Sequence, residues 1–246
     1  MSGASAIPLL EARALALRAA GRPLIEGLQW SVRRGERWCV IGRNGAGKSL
    51  VLRALAGLNV PERTGDVLWQ GRPQGDWPAG AAATLRALMP QQPQDRFALT
   101  VERVLALSEV ATSGSSPSEL LSALDIAALA GRRVDQLSGG ERQRVALAQC
   151  AMQGAGLMLL DEPVSFQDPA HQQLVGRWLT QPAGDRAWIA SAHDPSWIAR
   201  VATHVLALSG DGRWQAGPVD EILSAPVLER TYGCAWRSVE GAWLPA

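Results

Sequence analysis

Lys48 stands behind three glycines and in front of a serine, in Gly42-Arg43-Asn44-Gly45-Ala46-Gly47-Lys48-Ser49. The chemistry such a stretch can do is holding phosphate. Glycines let the backbone curl so that N–H groups point inward, and the positive end of a following helix adds to the field. The spacing is that of a phosphate-binding loop, G-x-x-x-x-G-K-S. A β-prone run, Arg37–Ile41, precedes it. A helix-forming run, Leu50–Ala56, follows and stops at Gly57, a natural C-terminal cap. Lys48 is then placed to reach β- and γ-phosphates, and Ser49 to ligate Mg²⁺. The competing reading is a glycine-rich turn without a ligand; the complete motif in its proper context argues against it.

Leu157-Met-Leu-Leu-Asp161-Glu162-Pro163 places two acids at the end of an apolar run. Runs apolar at every position suit parallel strands buried on both faces, and ligands of such sheets bind at the C-terminal strand edge. Asp161 is expected to hold Mg²⁺ through water, and Glu162 to orient and activate an attacking water. Alone, the pair reads equally well as an acidic turn with Glu162 facing solvent; the phosphate loop favours the chemical role. Ile189-Ala-Ser-Ala-His193-Asp194-Pro195 repeats the arrangement and delivers His193 to the same edge, near a γ-phosphate. The alternative for His193 is a structural hydrogen-bonding residue. His171 and His204 have no comparable setting and receive no role.

Leu137-Ser138-Gly139-Gly140-Glu141-Arg142-Gln143-Arg144 carries a capping box, with Ser138 at the N-cap and Glu141 three residues on. The helix runs on through Val145, Ala148, Ala151 and Met152. A capping box does not explain two glycines at the helix start, which read as exposed. Bare glycine amides there make a second anion site.

The elements that must position these groups follow from pattern. Strand-like pieces lie at Leu15–Arg18, Leu28–Val32, Arg37–Ile41 and Asp66–Gln70, with turn residues between them. The stretch from about Val101 to Met152 is rich in Ala and Leu and reads as helical. Two apolar runs, Leu157–Leu160 and Trp188–Ala192, read as buried strands, and helix-like segments alternate with them, as in a layered α/β sheet. From Val219 the pattern predicts one or two short helices and a final strand. Ala111–Ser118 reads as a loop within a domain. Trp30 and Trp38 look like strand core.

The 246 residues suffice for one large α/β domain or two small ones. A formal net charge of +1 gives no reason to expect broad attraction to nucleic acid or anionic lipid. Cys39, Cys150 and Cys234 have no metal-type spacing and read as reduced thiols in a cytosolic protein. Glu11 and Arg13 interrupt the only apolar run near the start, which argues against a signal peptide. No segment reaches the ~18 uninterrupted apolar residues of a membrane span. The chain therefore reads as soluble, and a partner must supply any span.

Taken together, the motifs resemble the ATP-binding-cassette (ABC) ATPases, the motor subunits of membrane transporters. The resemblance covers almost the whole chain, in the family's motif order, and LSGGERQR is its most specific part; a phosphate loop alone would suit many kinases and GTPases. It implies an α/β phosphate-loop NTPase fold in a single domain spanning 1–246. That fold has a mostly parallel core sheet, an N-terminal antiparallel β subdomain and an inserted α-helical subdomain at about 92–152. The implied ATP-binding residues are Gly42, Arg43, Asn44, Gly45, Ala46, Gly47, Lys48, Ser49 and Leu50. Gln91, in Met89-Pro-Gln91-Gln92, matches the glutamine that senses Mg²⁺ and the attacking water, so Ser49, Gln91 and Asp161 are the implied metal set. Glu162, His193 and Gln91 are the implied catalytic residues. Ser165-Phe-Gln-Asp168 matches the loop that crosses between subunits, with Asp168 its acid.

In this family two ATPase domains dimerise head to tail, so ATP at Lys48 and Ser49 of one is covered by Ser138, Gly139, Gly140 and Glu141 of the other. The resemblance implies ATP and Mg²⁺ as cofactors, a homodimer or a pairing with a similar chain, and integral membrane permease subunits. It further implies a periplasmic or surface substrate-binding protein, no nucleic-acid partner, and a peripheral place on the cytoplasmic face of the inner membrane. Arg86-Ala-Leu-Met-Pro-Gln91, Gly217–Ser224 and Leu228–Gly233 resemble ATPases that power heme, ferric-siderophore and vitamin B12 uptake. Three departures stand out. Leu17–Gly21 has no aromatic residue to stack on adenine, which predicts weak ATP affinity or poor selectivity for adenine. Phe166-Gln167 replaces Ala-Leu and Val164 replaces Thr in the crossing loop, and Leu50 replaces Thr. The rivals are another cargo, a soluble repair or ribosome-acting cassette, and a small-metabolite kinase. The long coiled coils or paired cassettes of the soluble types are missing, and a kinase leaves the Ser138–Glu141 helix start unexplained.

Overall fold

The computed structural model describes residues 7–92, 98–108, 116–182 and 185–246. Its first elements are β1 (Leu10–Ala19), β2 (Arg22–Val32), β3 (Arg37–Gly42), α1 (Lys48–Leu55), β4 (Arg63–Trp69) and β5 (Arg72–Pro73). There follow α2 (Ala79–Leu85), β6 (Arg86–Met89), α3 (Val101–Leu107), α4 (Pro117–Ala123), α5 (Gly139–Met152) and β7 (Leu157–Leu160). Next come α6 (Pro169–Thr180), β8 (Ala187–Ser191), α7 (Pro195–Val201), β9 (His204–Leu208) and β10 (Trp214–Pro218). The chain closes with α8 (Val219–Ile222), α9 (Ala225–Tyr232), β11 (Trp236–Val239) and β12 (Ala242–Pro245).

Among the described residues the strands form an antiparallel sheet in the order β2-β1-β4-β5, a central sheet in the order β10-β9-β3-β8-β7-β6, and the hairpin β11-β12. In the central sheet all pairings are parallel except that of edge strand β10 with β9. This is the mixed, mostly parallel α/β architecture expected from the pattern. Every residue of β7 and β8 is buried, as uninterrupted apolar runs require. One apolar core lies between the central sheet and α3–α9. The other joins the opposite face of that sheet, α1 and the N-terminal sheet. Trp30 and Trp38 both sit in the second core, their rings 4.9 Å apart and edge to face.

Half-buried Arg86 ties these layers together. Its Nε donates to the Ala56 carbonyl at 2.7 Å, closing the C-terminal end of α1, and its guanidinium lies 5.0 Å from the centre of the Trp69 ring. The β1–β2 hairpin turns at Ala20-Gly21, both with positive φ (51° and 74°), a turn whose twist matches the strands it joins.

The chain end differs from expectation. After α8 and α9 it forms a two-stranded hairpin, not a single strand, held to α7 by the Trp243 N–H donating to Ser196 Oγ at 2.9 Å. Most of the loop expected at Ala111–Ser118 lies outside the described residues. Ser116 instead caps α4 through a capping box with Glu119. No helix among the described residues is long and apolar enough to cross a membrane.

Candidate nucleotide site

Parallel strands end on one edge, and the sheet register brings the sequence motifs there together. Met89 pairs with Leu160, Leu160 with Ala190, and Val40 with Ser191. Residues 42–49, Gln91, Asp161, Glu162 and His193 all follow directly from those strand ends. The backbone bends at Gly47, whose φ of 99° would strain any other residue, and α1 starts there. A cavity of ≈ 770 Å³ opens at this edge, lined by Ala19, Leu24, Asn44, Gly45, Gly47, Lys48, Ser49, Leu50, Gln91, Glu162 and His193.

Lys48 is buried, and its Nζ donates to the carbonyls of Gly42 (2.8 Å) and Arg43 (3.2 Å). Burial lowers its pKa, and the charges of Glu162 and Asp161 act against that shift. Glu162 faces inward. His193 Nε2 lies 2.8 Å from Oε1, Ser165 Oγ donates to Oε2 at 2.8 Å, and the Gln91 side chain bonds the same carboxylate. Burial raises the Glu162 pKa, but these bonds outweigh it and hold the carboxyl below its ordinary value.

The backbone of Glu162 is in the left-handed region (φ 53°), a conformation that persists only where the surroundings over-determine it. They do so here. Ser191 Oγ accepts from the Glu162 N–H at 2.8 Å while donating to Asp161 Oδ1 at 2.6 Å, and Gln143 Nε2 donates to the Glu162 carbonyl at 2.7 Å.

The Ser138–Glu141 helix start sits elsewhere: residues 138–140 are not among those lining the cavity. The capping box is present, with the Glu141 N–H donating to Ser138 Oγ and the Ser138 N–H to Glu141 Oε2. The first-turn amides of Gly139 and Gly140 lie beyond the reach of intrahelical bonds.

One expectation needs correction. Gly139 is exposed, but Gly140 is buried. A Cβ on Gly140 would lie 2.8 Å from the Phe166 carbonyl oxygen, so glycine at this position also lets the crossing loop approach α5 within the same chain. Gly140→Ala is therefore expected to destabilise the protein by about 1–3 kcal/mol. In a chain of 246 residues that lowers Tm by several degrees, which calorimetry would read. An unchanged Tm would remove the packing argument.

The sequence pattern missed Ser191, Gln143 and His171. A lone serine inside an apolar strand was the available signal for Ser191. His171 bridges two acids, with Nδ1 2.8 Å from Asp168 Oδ2 and Nε2 3.3 Å from Asp125 Oδ2. Asp168 Oδ1 also accepts from the His171 N–H and caps α6. His204 stacks on Trp38.

Residues 25–165, more than half of the chain, match the family model described as ABC transporter. The chain belongs to the ABC transporter family. It is 39% identical over 235 residues to the hemin import ATP-binding protein HmuV of Streptomyces coelicolor, covering 91% of this chain and 83% of that one. It is 34% identical to the vitamin B12 import ATP-binding protein BtuD of Citrobacter koseri, with 87% and 88% covered. Its fold matches that of a metal-chelate type ABC transporter solved in an inward-facing conformation, at TM-score 0.78 with 22% identity, covering 97% of this chain and 98% of that one. As an ABC ATPase, the chain binds and hydrolyses ATP.

Proposed function

We propose that this ABC ATPase drives a membrane importer for a metal chelate such as heme, a ferric siderophore or cobalamin. The observation that carries the reading is the separation of two anion sites. The loop 42–49 and the groups Gln91, Asp161, Glu162 and His193 lie at one sheet edge, while Gly139 and Gly140 are not among the residues lining the cavity there. A triphosphate bound at the first is completed by the second only if another copy supplies it. Two copies thus enclose two nucleotides, and hydrolysis loosens the bridge between them. The hemin and vitamin B12 names of the relatives support the class of cargo.

In this reading Glu162 takes the proton of the attacking water at its carboxylate, with His193 and Gln91 holding that carboxylate in line. Ser49, Gln91 and Asp161 offer oxygen ligands suited to a hard cation, and Ser191 occupies only Oδ1 of Asp161. They would hold Mg²⁺, which when bound neutralises phosphate charge. Residues 92–152 would act as the inserted helical arm that conveys closure to permease subunits at the cytoplasmic face of the inner membrane, with a substrate-binding protein outside.

Incubation with γ-labelled ATP tests the reading. Free phosphate is the expected product, released faster in proteoliposomes that contain the cognate permease. Transfer of the label to a small acceptor would overturn it in favour of a kinase.

A further inference from the structure

Strands β3 and β8 run toward the phosphate loop from the opposite edge of the central sheet, and a second cavity opens at that starting edge. It holds ≈ 240 Å³ and shares no residue with the phosphate-loop cavity. Arg37, the first residue of β3, and Arg186, just before β8, both line it. Met158, Trp178, Leu179 and Trp188 supply apolar wall, and among the described residues no Asp or Glu lines the cavity.

Arg186 is half-buried, yet it makes no hydrogen bond and no ion pair among the described residues. Its one electrostatic neighbour there is the Cys150 thiol, whose pKa burial pushes up to about 12, so it brings no negative charge at neutral pH. Arg37 Nε donates to the Val201 carbonyl at 2.9 Å. The remaining nitrogens of both guanidinium groups are reached by solvent. The nearby acids do not balance them. Glu36 accepts from the Arg33 N–H and from Trp38 Nε1, and exposed Asp185 pairs with neither arginine. An adjoining cavity that shares Thr180 adds Arg177 and Arg200, again without an acid in its lining among the described residues. A guanidinium removed in part from water gains most from an anion, and its paired N–H donors match the two oxygens of a carboxylate.

We propose that this cavity binds a small organic carboxylate with a flat apolar body, its oxygens on Arg186 and Arg37 and its body against Trp178. The volume is below the roughly 300–1,000 Å³ of sites for drug-sized ligands, which limits the ligand to a small one.

Benzoate is the probe that tests it. Calorimetry on the full chain should show saturable binding of benzoate. Benzamide, its neutral counterpart, and acetate, which lacks the ring, should each bind at least about tenfold more weakly. Arg186→Met should weaken benzoate by about tenfold or more and leave Mg-ATP affinity unchanged. Arg186 holds no other group of the protein, so this variant is expected to keep its Tm. With the indole nitrogens labelled, benzoate should shift the Trp178 Nε1 signal, assigned through Trp178→Phe. Should Arg186→Met fold poorly, the wild-type preference for benzoate over benzamide and the Trp178 signal decide. No saturable benzoate binding, equal affinity for benzamide or acetate, an unmoved Trp178 signal, or unchanged affinity in a folded Arg186→Met would overturn the proposal. Displacement of benzoate by Mg-ATP would overturn it too, by placing the anion at the phosphate loop.

Discussion

Glu162→Gln is expected to slow phosphate release by about 10²–10⁴-fold while leaving ATP binding in place. The substitution is nearly isosteric, so Ser165, Gln91 and His193 keep a partner of the same shape. What disappears is a carboxylate able to accept a proton. With hydrolysis blocked, the triphosphate bridge persists and the protein should elute as a dimer with ATP on size-exclusion chromatography. Near wild-type turnover would place the base elsewhere, and a monomer at saturating ATP, alone and with the permease, would end the shared-site account.

The pH dependence has a definite sign. Because its hydrogen bonds hold the Glu162 carboxyl below the ordinary glutamate value, the base stays ionised through the neutral range. The stability this contributes is fully present above the ordinary carboxylate pKa and is lost as pH falls through the depressed one. The acid limb of the rate profile should therefore lie below the usual glutamate range.

Lys48→Ala should lower ATP affinity by at least about a hundredfold. Hydrogen bonds from a charged donor contribute about 1.5–3 kcal/mol each, and each 1.4 kcal/mol is tenfold. Its effect on the ligand-free protein should be small. Lys48 loses solvation on burial, and that cost offsets its two bonds to the carbonyls of Gly42 and Arg43. The expected pattern is lost binding by calorimetry with little change in Tm. Unchanged affinity would remove the phosphate-loop assignment.

The chemistry of the site was legible because its motifs are contiguous. Residues 42–49, Asp161-Glu162 and His193 each follow a strand, and parallel strands end on one edge. The supporting bonds were not legible, because they join residues far apart in the chain. Ser191 reaches Glu162 across the β7–β8 register, Gln143 reaches it from a helix, and His171 reaches Asp125 across 46 positions. Register and helix rotation are tertiary facts that local pattern does not carry. Gly140 shows the same limit: its backbone amide was readable, but the Phe166 carbonyl that excludes a Cβ was not. Strand β6, only four residues long, was masked by the helix-prone alanines of α2 before it.

Helix α5 starts at Gly139, and one turn on, through Gln143, it grips the carbonyl of Glu162, the acid proposed to activate the attacking water. In the proposed dimer, one rigid rod therefore touches both composite sites. In that dimer, a shift that seats its tip on a neighbour's phosphate is expected to tug its own glutamate and so to couple the two centres. Alternation or synchrony between them would then be set by the length of a single turn of helix.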